Sequence, residues 1–369
     1  MGFDYVGMKP TMAVRVRESH SREWLFCFVV VCCLVGCSRQ TPPLQLVGSA
    51  MGTTWHVSYI DPPAGLTPDR VQHGIEEQLE LVNRSMSTYI SDSEIRRFSA
   101  SAPNAWFRTS ENFFHVLTTA LEVGRKSEGA YDVTVAPLVN LWGFGPDGMI
   151  NSPPSDQSIA KLRDRVGQDN IRVDSKNLSV MKLNDLSLDF SSLAKGYGVD
   201  RVAQWLAEQG IHRFMVEVGG ELRLSGLSGR GDPWRIAIEQ PESSSRSVAV
   251  TIDLTDVAVA TSGDYRNYFE ADGRHYSHII DPRTGYPVAH DLVSVTVVHP
   301  SCMIADAWAT ALTVLGPDRA MAVAQAQGLA VYFIRRVDDG FVHSHTPLFS
   351  VYLAQQRNRT GFGSLEVVP

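Results

Sequence analysis

Residues 301–315, SCMIADAWATALTVL, contain a single charged side chain, Asp306. A helix this apolar is buried on most of its sides, so the rest of the chain must build layers around it. Ile304, Ala307, Ala311, Leu312 and Leu315 form one stripe. Asp306 and Thr310 share the opposite face, one turn apart. A buried carboxylate must be paired, protonated or bound to a metal. Two hard oxygens at i and i+4 suit Mg²⁺, which takes a few protein oxygens and leaves room for phosphate and water. An aspartate in a solvated strip, or one capping a neighbouring loop, fits the same spacing, and the pattern alone leaves these readings open.

The 369 residues are 44% hydrophobic and 20% charged, which excludes wholesale disorder. Net charge is -7 with no local basic stripe, so no nucleic-acid partner is expected. The run Leu44–Ile60 alternates like a strand, interrupted by GSAMGTT, whose glycines suggest a bend or the close approach of a ligand. Helices are expected over 68–86 (Val71, Ile75, Leu79 and Val82 on one stripe), 111–127 and 193–209. Strands are expected around 178–190, at RFMVEV and ELRLS either side of Gly219-Gly220, at WRIAIEQ, VAVTIDL and VAVATSG, and at 292–298. A hairpin turns at Asp272-Gly273 and a last one at VDDG. Gly316-Pro317 ends the 301–315 helix, and another helix follows it. Helices and strands mix without strict βαβ alternation, so the fold class is α+β, with mixed and antiparallel sheets and packed helices.

Four of the five cysteines, Cys27, Cys32, Cys33 and Cys37, fall in the first 37 residues; Cys302 is the other. Arg15, Arg17 and Arg22 precede the apolar run WLFCFVVVCCLVG, which reads as an export signal over 1–36. Its end, Leu34-Val35-Gly36-Cys37, resembles a bacterial lipobox, in which Cys37 is lipidated and becomes the first mature residue. A plain signal anchor or a cleaved secretory signal are the other readings. Residues 37–43 would be a tether, and 44–369 a domain held at a membrane surface of the bacterial cell envelope by its lipid.

In LSLDFSSLAKGYGVD a strand ends near Asp189, Ser191-Ser192 can cap, and a helix begins near Leu193. That arrangement presents backbone N–H groups to phosphate, with Lys195 in the first turn. A capped helix with a surface lysine explains the same residues. The pair Gly219-Gly220 is either a bulge or a place of close backbone approach. Tyr89 and the LWGFG loop could stack on an aromatic ligand or simply be core. In SHIIDPRTGYP, residues 277–287, Pro282 and Gly285 explain a turn, but not His278, which could serve as a general base or be structural.

Eight blocks run in one order from Ala50 to Leu315: AMGTTW, MSTYISDSEI, GAYDVTVAPLVNLWGFGP, LDFSSLAKGYGVDRVA, VEVGGEL, ATSGDYRNYF, HYSHIIDPRTGYP and ADAWATAL. Together they resemble the ApbE family of FAD:protein FMN transferases. The resemblance implies a T-fold-like α+β architecture for 44–369. It also implies a Mg²⁺-dependent reaction in which FMN passes from FAD to a threonine or serine of a target protein and AMP leaves. Targets in such families include subunits of membrane-bound, sodium-pumping redox complexes. Position by position, Asp306 and Thr310 match metal-ligand side chains, and Ser192 matches a residue giving its backbone carbonyl to the metal. Met51, Tyr89, Tyr131, Asp132, Asp189, Lys195 and Ile280 match positions lining the FAD site, and His278 is assigned acid–base work on the incoming hydroxyl. Lys195 is Glu in some relatives and Ala309 is Asp in others, which leaves one metal position here to water or phosphate. A FAD pyrophosphatase on the same fold, and a non-catalytic flavin-binding lipoprotein, are the alternatives.

Overall fold

The first alternating run folds back on itself because Met51 and Gly52 both take positive φ, 54° and 72°. Two such residues in succession make the turn whose twist suits a tight hairpin. Strands β1 (Leu44–Ala50) and β2 (Thr53–Ile60) therefore pair antiparallel, Ala50 opposite Thr53. The computed structural model describes residues 42–353 apart from 151, 242–246, 264–266 and 272. The signal-like segment 1–36, Cys37, the tether up to residue 41 and the turn residue Asp272 lie outside the described residues.

The chain continues through α1 (Pro68–Met86), α2 (Glu94–Ala100), β3 (Phe107–Arg108), α3 (Glu111–Lys126), α4 (Ala136–Leu141), α5 (Asp156–Arg163), β4 (Ile171–Asp174), β5 (Ser179–Lys182) and α6 (Ala194–Glu208). Next come β6 (Arg213–Val218), β7 (Glu221–Ser225), β8 (Trp234–Gln240), β9 (Ser247–Leu254), β10 (Ala258–Gly263), β11 (Tyr268–Ala271) and β12 (Arg274–Ser277). Then follow β13 (Leu292–His299), α7 (Cys302–Ala326), β14 (Ala330–Val337) and β15 (Gly340–His345). Eight strands form one sheet in the order β1-β2-β6-β7-β10-β13-β14-β15, with every neighbouring pair antiparallel. The α+β expectation holds.

Both faces of that sheet are covered. On one side Trp55, Val57 and Val216 share a cluster with Val71, Ile75 and Leu79 of α1 and with Val199, Val202 and Leu206 of α6. On the same side Ala260, Val295 and Val297 cluster with Ala307, Ala311 and Leu312 of α7. On the other, Val259, Val293, Val298 and Ile334 meet Ile236, Ile238 and Ile252 of the β8–β9 ribbon. Strand β13 lies between, which is why its sequence, LVSVTVVH, is buried at all positions but the last. Among the described residues no helix is long and apolar enough to cross a membrane.

Several elements differ from expectation, β3, β4 and α4 among them. The strand expected over 178–190 stops at Lys182, because that fully buried lysine donates its Nζ hydrogens to the carbonyls of Ser99 (2.5 Å) and Leu186 (3.1 Å). It thereby holds the next residues in an irregular path instead of a ladder. Helix α2 was not foreseen; Ser93 caps it, accepting from the Arg96 amide. The expected break at Gly316-Pro317 is present as a kink within α7, with Gly316 at φ 73° and ψ 175°. A helix interrupted there loses partners for its preceding carbonyls. His290 Nε2 donates to the Thr313 carbonyl (2.8 Å) and Arg283 Nη2 to that of Val314 (3.4 Å).

Candidate active site

The N-terminus of α6 and the inner face of α7 meet at Gly196. Its amide donates to Asp306 Oδ2 at 3.1 Å, and a Cβ there would lie 2.5 Å from the Cys302 carbonyl oxygen. Only glycine allows this approach. The charged face of α7 is thus aimed at the start of α6, and between them opens a cleft of about 560 Å³. Its lining brings together Tyr89, Tyr131, Asp132, Asp189, Ser192, Lys195, His278, Ile280, Asp306 and Thr310. All but one of the predicted non-lipid site residues therefore share one space. The exception is Met51, which sits in the β1–β2 turn and packs between the helices; a Cβ on Gly198 would lie 3.1 Å from its sulfur.

The floor of the cleft is a charge trio of two buried carboxylates and a half-buried lysine. Lys195 Nζ lies 3.2 Å from Glu221 Oε1 and 3.9 Å from Asp306 Oδ2. Burial works against the Lys195 ammonium, but Asp306 and Glu221 more than offset it and hold its pKa above that of an ordinary lysine. Burial pushes Asp306 up against the opposing pull of Lys195, and pushes Glu221 up to about 8. One ammonium cannot neutralise two buried carboxylates, so the trio titrates as a unit. Glu221 Oε2 is buried without a hydrogen-bond partner among the described residues.

The neighbouring polar groups divide by whether their capacity is already used. Asp132 is used: Oδ1 accepts from the amide and hydroxyl of Thr134 (2.8 and 2.6 Å), and Oδ2 from the Gln168 amide (2.9 Å). Asp189 Oδ1 accepts from the Ser191 amide (2.7 Å), fixing the turn into α6. Ser192 Oγ donates to the phenol oxygen of Tyr131 (2.8 Å), whose pKa burial raises well above the ordinary value. Thr310 lines the cleft and makes no side-chain hydrogen bond among the described residues. Tyr89 stands at the rim, 73% exposed, where it offers a ring face to a ligand.

His278 enters from the end of β12. Its Nδ1 lies 2.9 Å from the Asn267 carbonyl oxygen, which can only accept, so Nδ1 carries the proton and Nε2, without a partner among the described residues, is the acceptor. Burial lowers its pKa, opposed by the Asn267 bond and helped by the charge of Lys195, a shift that favours the neutral ring. Phe144 packs edge-on against it. The turn beyond is structural: Asp281 binds the Arg283 guanidinium at 2.9 and 2.8 Å, and Trp142 Nε1 donates to the Gly285 carbonyl (2.8 Å).

Sequence reasoning missed Glu221, Gly196 and Asn267. The signal for Glu221 was a charged residue two positions before Arg223 on a strand whose Leu222 and Leu224 face the opposite side, into the β8–β9 cluster. No local signal marks Asn267, which acts through its backbone. Among the described residues no group of three His, Cys, Asp or Glu side chains gathers as a metal cluster.

This fold has known counterparts. The chain belongs to the ApbE family, whose model matches residues 51–333. It is 45% identical over 334 residues to a FAD:protein FMN transferase of Vibrio cholerae serotype O1, covering 90% of this chain and 100% of that protein. It is 39% identical over 335 residues to the FAD:protein FMN transferase of Escherichia coli K12, covering 88% and 95%. Among solved structures, the flavin transferase ApbE from Vibrio cholerae superposes with a TM-score of 0.79 at 44% identity, over 84% of this chain and all of that one. The apo Pseudomonas stutzeri flavinyl transferase ApbE gives 0.78 at 38% identity, over 85% and 97%.

Proposed function

We propose that this chain transfers FMN from FAD to a threonine or serine hydroxyl of a target protein, with Mg²⁺ bound at Asp306 and Thr310 and AMP as leaving group. The family supports flavin transfer from FAD to protein. The observation that carries the finer reading is His278: an imidazole whose tautomer is set by Asn267, whose Nε2 has no partner among the described residues, and which lines the cleft shared by Asp306, Thr310 and Lys195. A group so poised can take the proton of an attacking hydroxyl.

The donor set suits Mg²⁺. Asp306 is a buried carboxylate with Oδ2 engaged by Gly196, Thr310 has a hydroxyl with no hydrogen bond among the described residues, and Ser192 lines the same cleft just before α6. Hard oxygens in small number are what this ion takes. Lys195 is the one lysine of the described lining and is already shared by Glu221 and Asp306, so a pyrophosphate entering here would gain from a further cation. Bound there, the ion would neutralise pyrophosphate charge and favour departure of AMP.

The protein's own part is binding and proton transfer. Apolar Val135, Val139, Phe144, Ile238 and Ile280 offer a wall for the flavin ring, with Tyr89 at its edge. Lys195 faces the phosphates. The acceptor hydroxyl attacks the FMN-side phosphorus, its proton passes to His278 Nε2, and the phosphorus–oxygen bond to AMP breaks. The acceptor protein, we infer, meets this cleft at the surface of the cell envelope, to which Cys37 would tether the enzyme by a lipid.

The test incubates the full chain with FAD, Mg²⁺ and the soluble domain of a redox-complex subunit bearing an acceptor threonine. A flavin-fluorescent band that survives denaturation supports transfer. Free FMN and AMP without that band would point to the pyrophosphatase. FAD bound with no product would point to a carrier.

A further inference from the structure

Asp200 lies one helical turn beyond Gly196 on α6, on the side facing α7 and away from the FAD cleft. Its Oδ2 accepts from Ser301 Oγ (2.7 Å) and the Met303 amide (3.1 Å). Its Oδ1 accepts from the Cys302 amide (3.0 Å) and Arg223 Nη1 (2.5 Å). The first amides of a helix have no intrahelical partner. Those of α7 are held by a carboxylate from a neighbouring helix, although Ser301 already supplies a cap of its own to Ile304. The extra grip ties three elements together: α6, α7 and, through Arg223, β7.

Its consequence runs along the helices. Residues 196 and 200 are i and i+4 on one face of α6. The first meets the Asp306 carboxylate and the Cys302 carbonyl; the second meets the start of the same helix. Against β7 the charges alternate, Lys195 with Glu221 and Asp200 with Arg223, so sliding α6 toward the next rung brings Lys195 to Arg223. Like charges there reject that register.

We propose that Asp200 is a positioning residue for the transfer reaction: by gripping the N-terminus of α7 it sets where Asp306 and Thr310 stand relative to Ser192 and Lys195. The inference rests on the reading of the cleft given above. Asp200 touches neither substrate nor metal, and it acts through α7.

The experiment compares full-chain Asp200→Ala, Asp200→Asn and Ser301→Ala with wild type. Four quantities are read: FMN transfer at saturating FAD, the midpoint of a Mg²⁺ titration followed by thermal shift, FAD affinity in EDTA, and hydrogen exchange of the Gly196 amide. For Asp200→Ala, misplacing the reacting groups is expected to lower kcat by about 100-fold. The Mg²⁺ midpoint should rise by about tenfold or more, as when a residue supporting a metal ligand is lost. FAD affinity in EDTA should stay near wild type, and the Gly196 amide should exchange faster. Asp200→Asn, which turns one acceptor into a donor facing amide hydrogens, should move the same way to a lesser degree. Ser301→Ala should move least. Asp200 variants with wild-type Mg²⁺ midpoints and Gly196 exchange would overturn the proposal, with Asp200→Asn deciding if the alanine variant does not fold. Absence of transfer by wild type would count against the proposed function alone, because the midpoint and exchange measurements need no acceptor.

Discussion

Replacing Glu221 with glutamine removes one of the two carboxylates that share Lys195. Burial moves the Glu221 pKa from the ordinary 4.5 to about 8, against the pull of Lys195. The folded state thus binds this proton more tightly than the unfolded chain. A raised carboxyl contributes stability that is fully present below about pH 4.5 and is lost as pH rises through about 8. At about 1.4 kcal/mol per unit, the shift corresponds to on the order of 5 kcal/mol lost across that window. Glutamine has no proton to release, and its amide oxygen can still accept from Lys195. Urea unfolding at pH 5, 6, 7 and 8, at one salt concentration, measures the difference. Wild type should lose stability relative to Glu221→Gln by a few kcal/mol between pH 5 and 8. Parallel stability–pH curves would refute the reasoning, since they would mean that Glu221 is as fully ionised in the folded protein as in the unfolded chain.

Three further outcomes are expected. His278→Ala should lower FMN transfer by about 10²–10⁴-fold with little change in FAD affinity. In wild type the acid limb of the pH–rate profile should lie below the ordinary histidine value of 6.5, because burial lowers the His278 pKa, and this variant should lack it. Gly196→Ala would place a Cβ 2.5 Å from the Cys302 carbonyl oxygen and 2.9 Å from Asp306 Cβ. Both neighbours are held, so chemical denaturation should show a loss of about 1–3 kcal/mol, with a weaker Mg²⁺ response. Cys37→Ala should abolish incorporation of labelled palmitate and release the protein from the membrane fraction, if Cys37 is the anchor.

What was legible beforehand followed from local periodicity. The single charge in 301–315 announced a helix buried on most sides, and that helix does carry Asp306 and Thr310 into the cleft. The small-residue turn before Lys195 announced a helix start, and α6 begins at Ala194. What stayed hidden depends on register between distant segments. Nothing in the neighbourhood of Lys195 names Glu221 as its partner, and the Asn267 carbonyl that sets the His278 tautomer has no side-chain signature. Lys182 misled for a related reason: its neighbours read as strand, but its ammonium satisfies two carbonyls of other segments and ends the ladder. Asp281 and Arg283, for which pairing with each other or fixing the loop were both open from the sequence, do pair, and Arg283 also reaches the α7 kink.

The most direct test of the central claim is whether flavin becomes covalently attached to an acceptor. Wild type, His278→Ala and Asp306→Ala would each be incubated with FAD and a threonine-bearing acceptor domain, with Mg²⁺ or with EDTA, and the denatured products read by flavin fluorescence and mass. The account predicts an acceptor heavier by one FMN moiety at its threonine, with AMP in equal amount, for wild type with Mg²⁺. It predicts a trace for His278→Ala and none for Asp306→Ala or in EDTA. Equal labelling by wild type and Asp306→Ala, or labelling undiminished in EDTA, would contradict it.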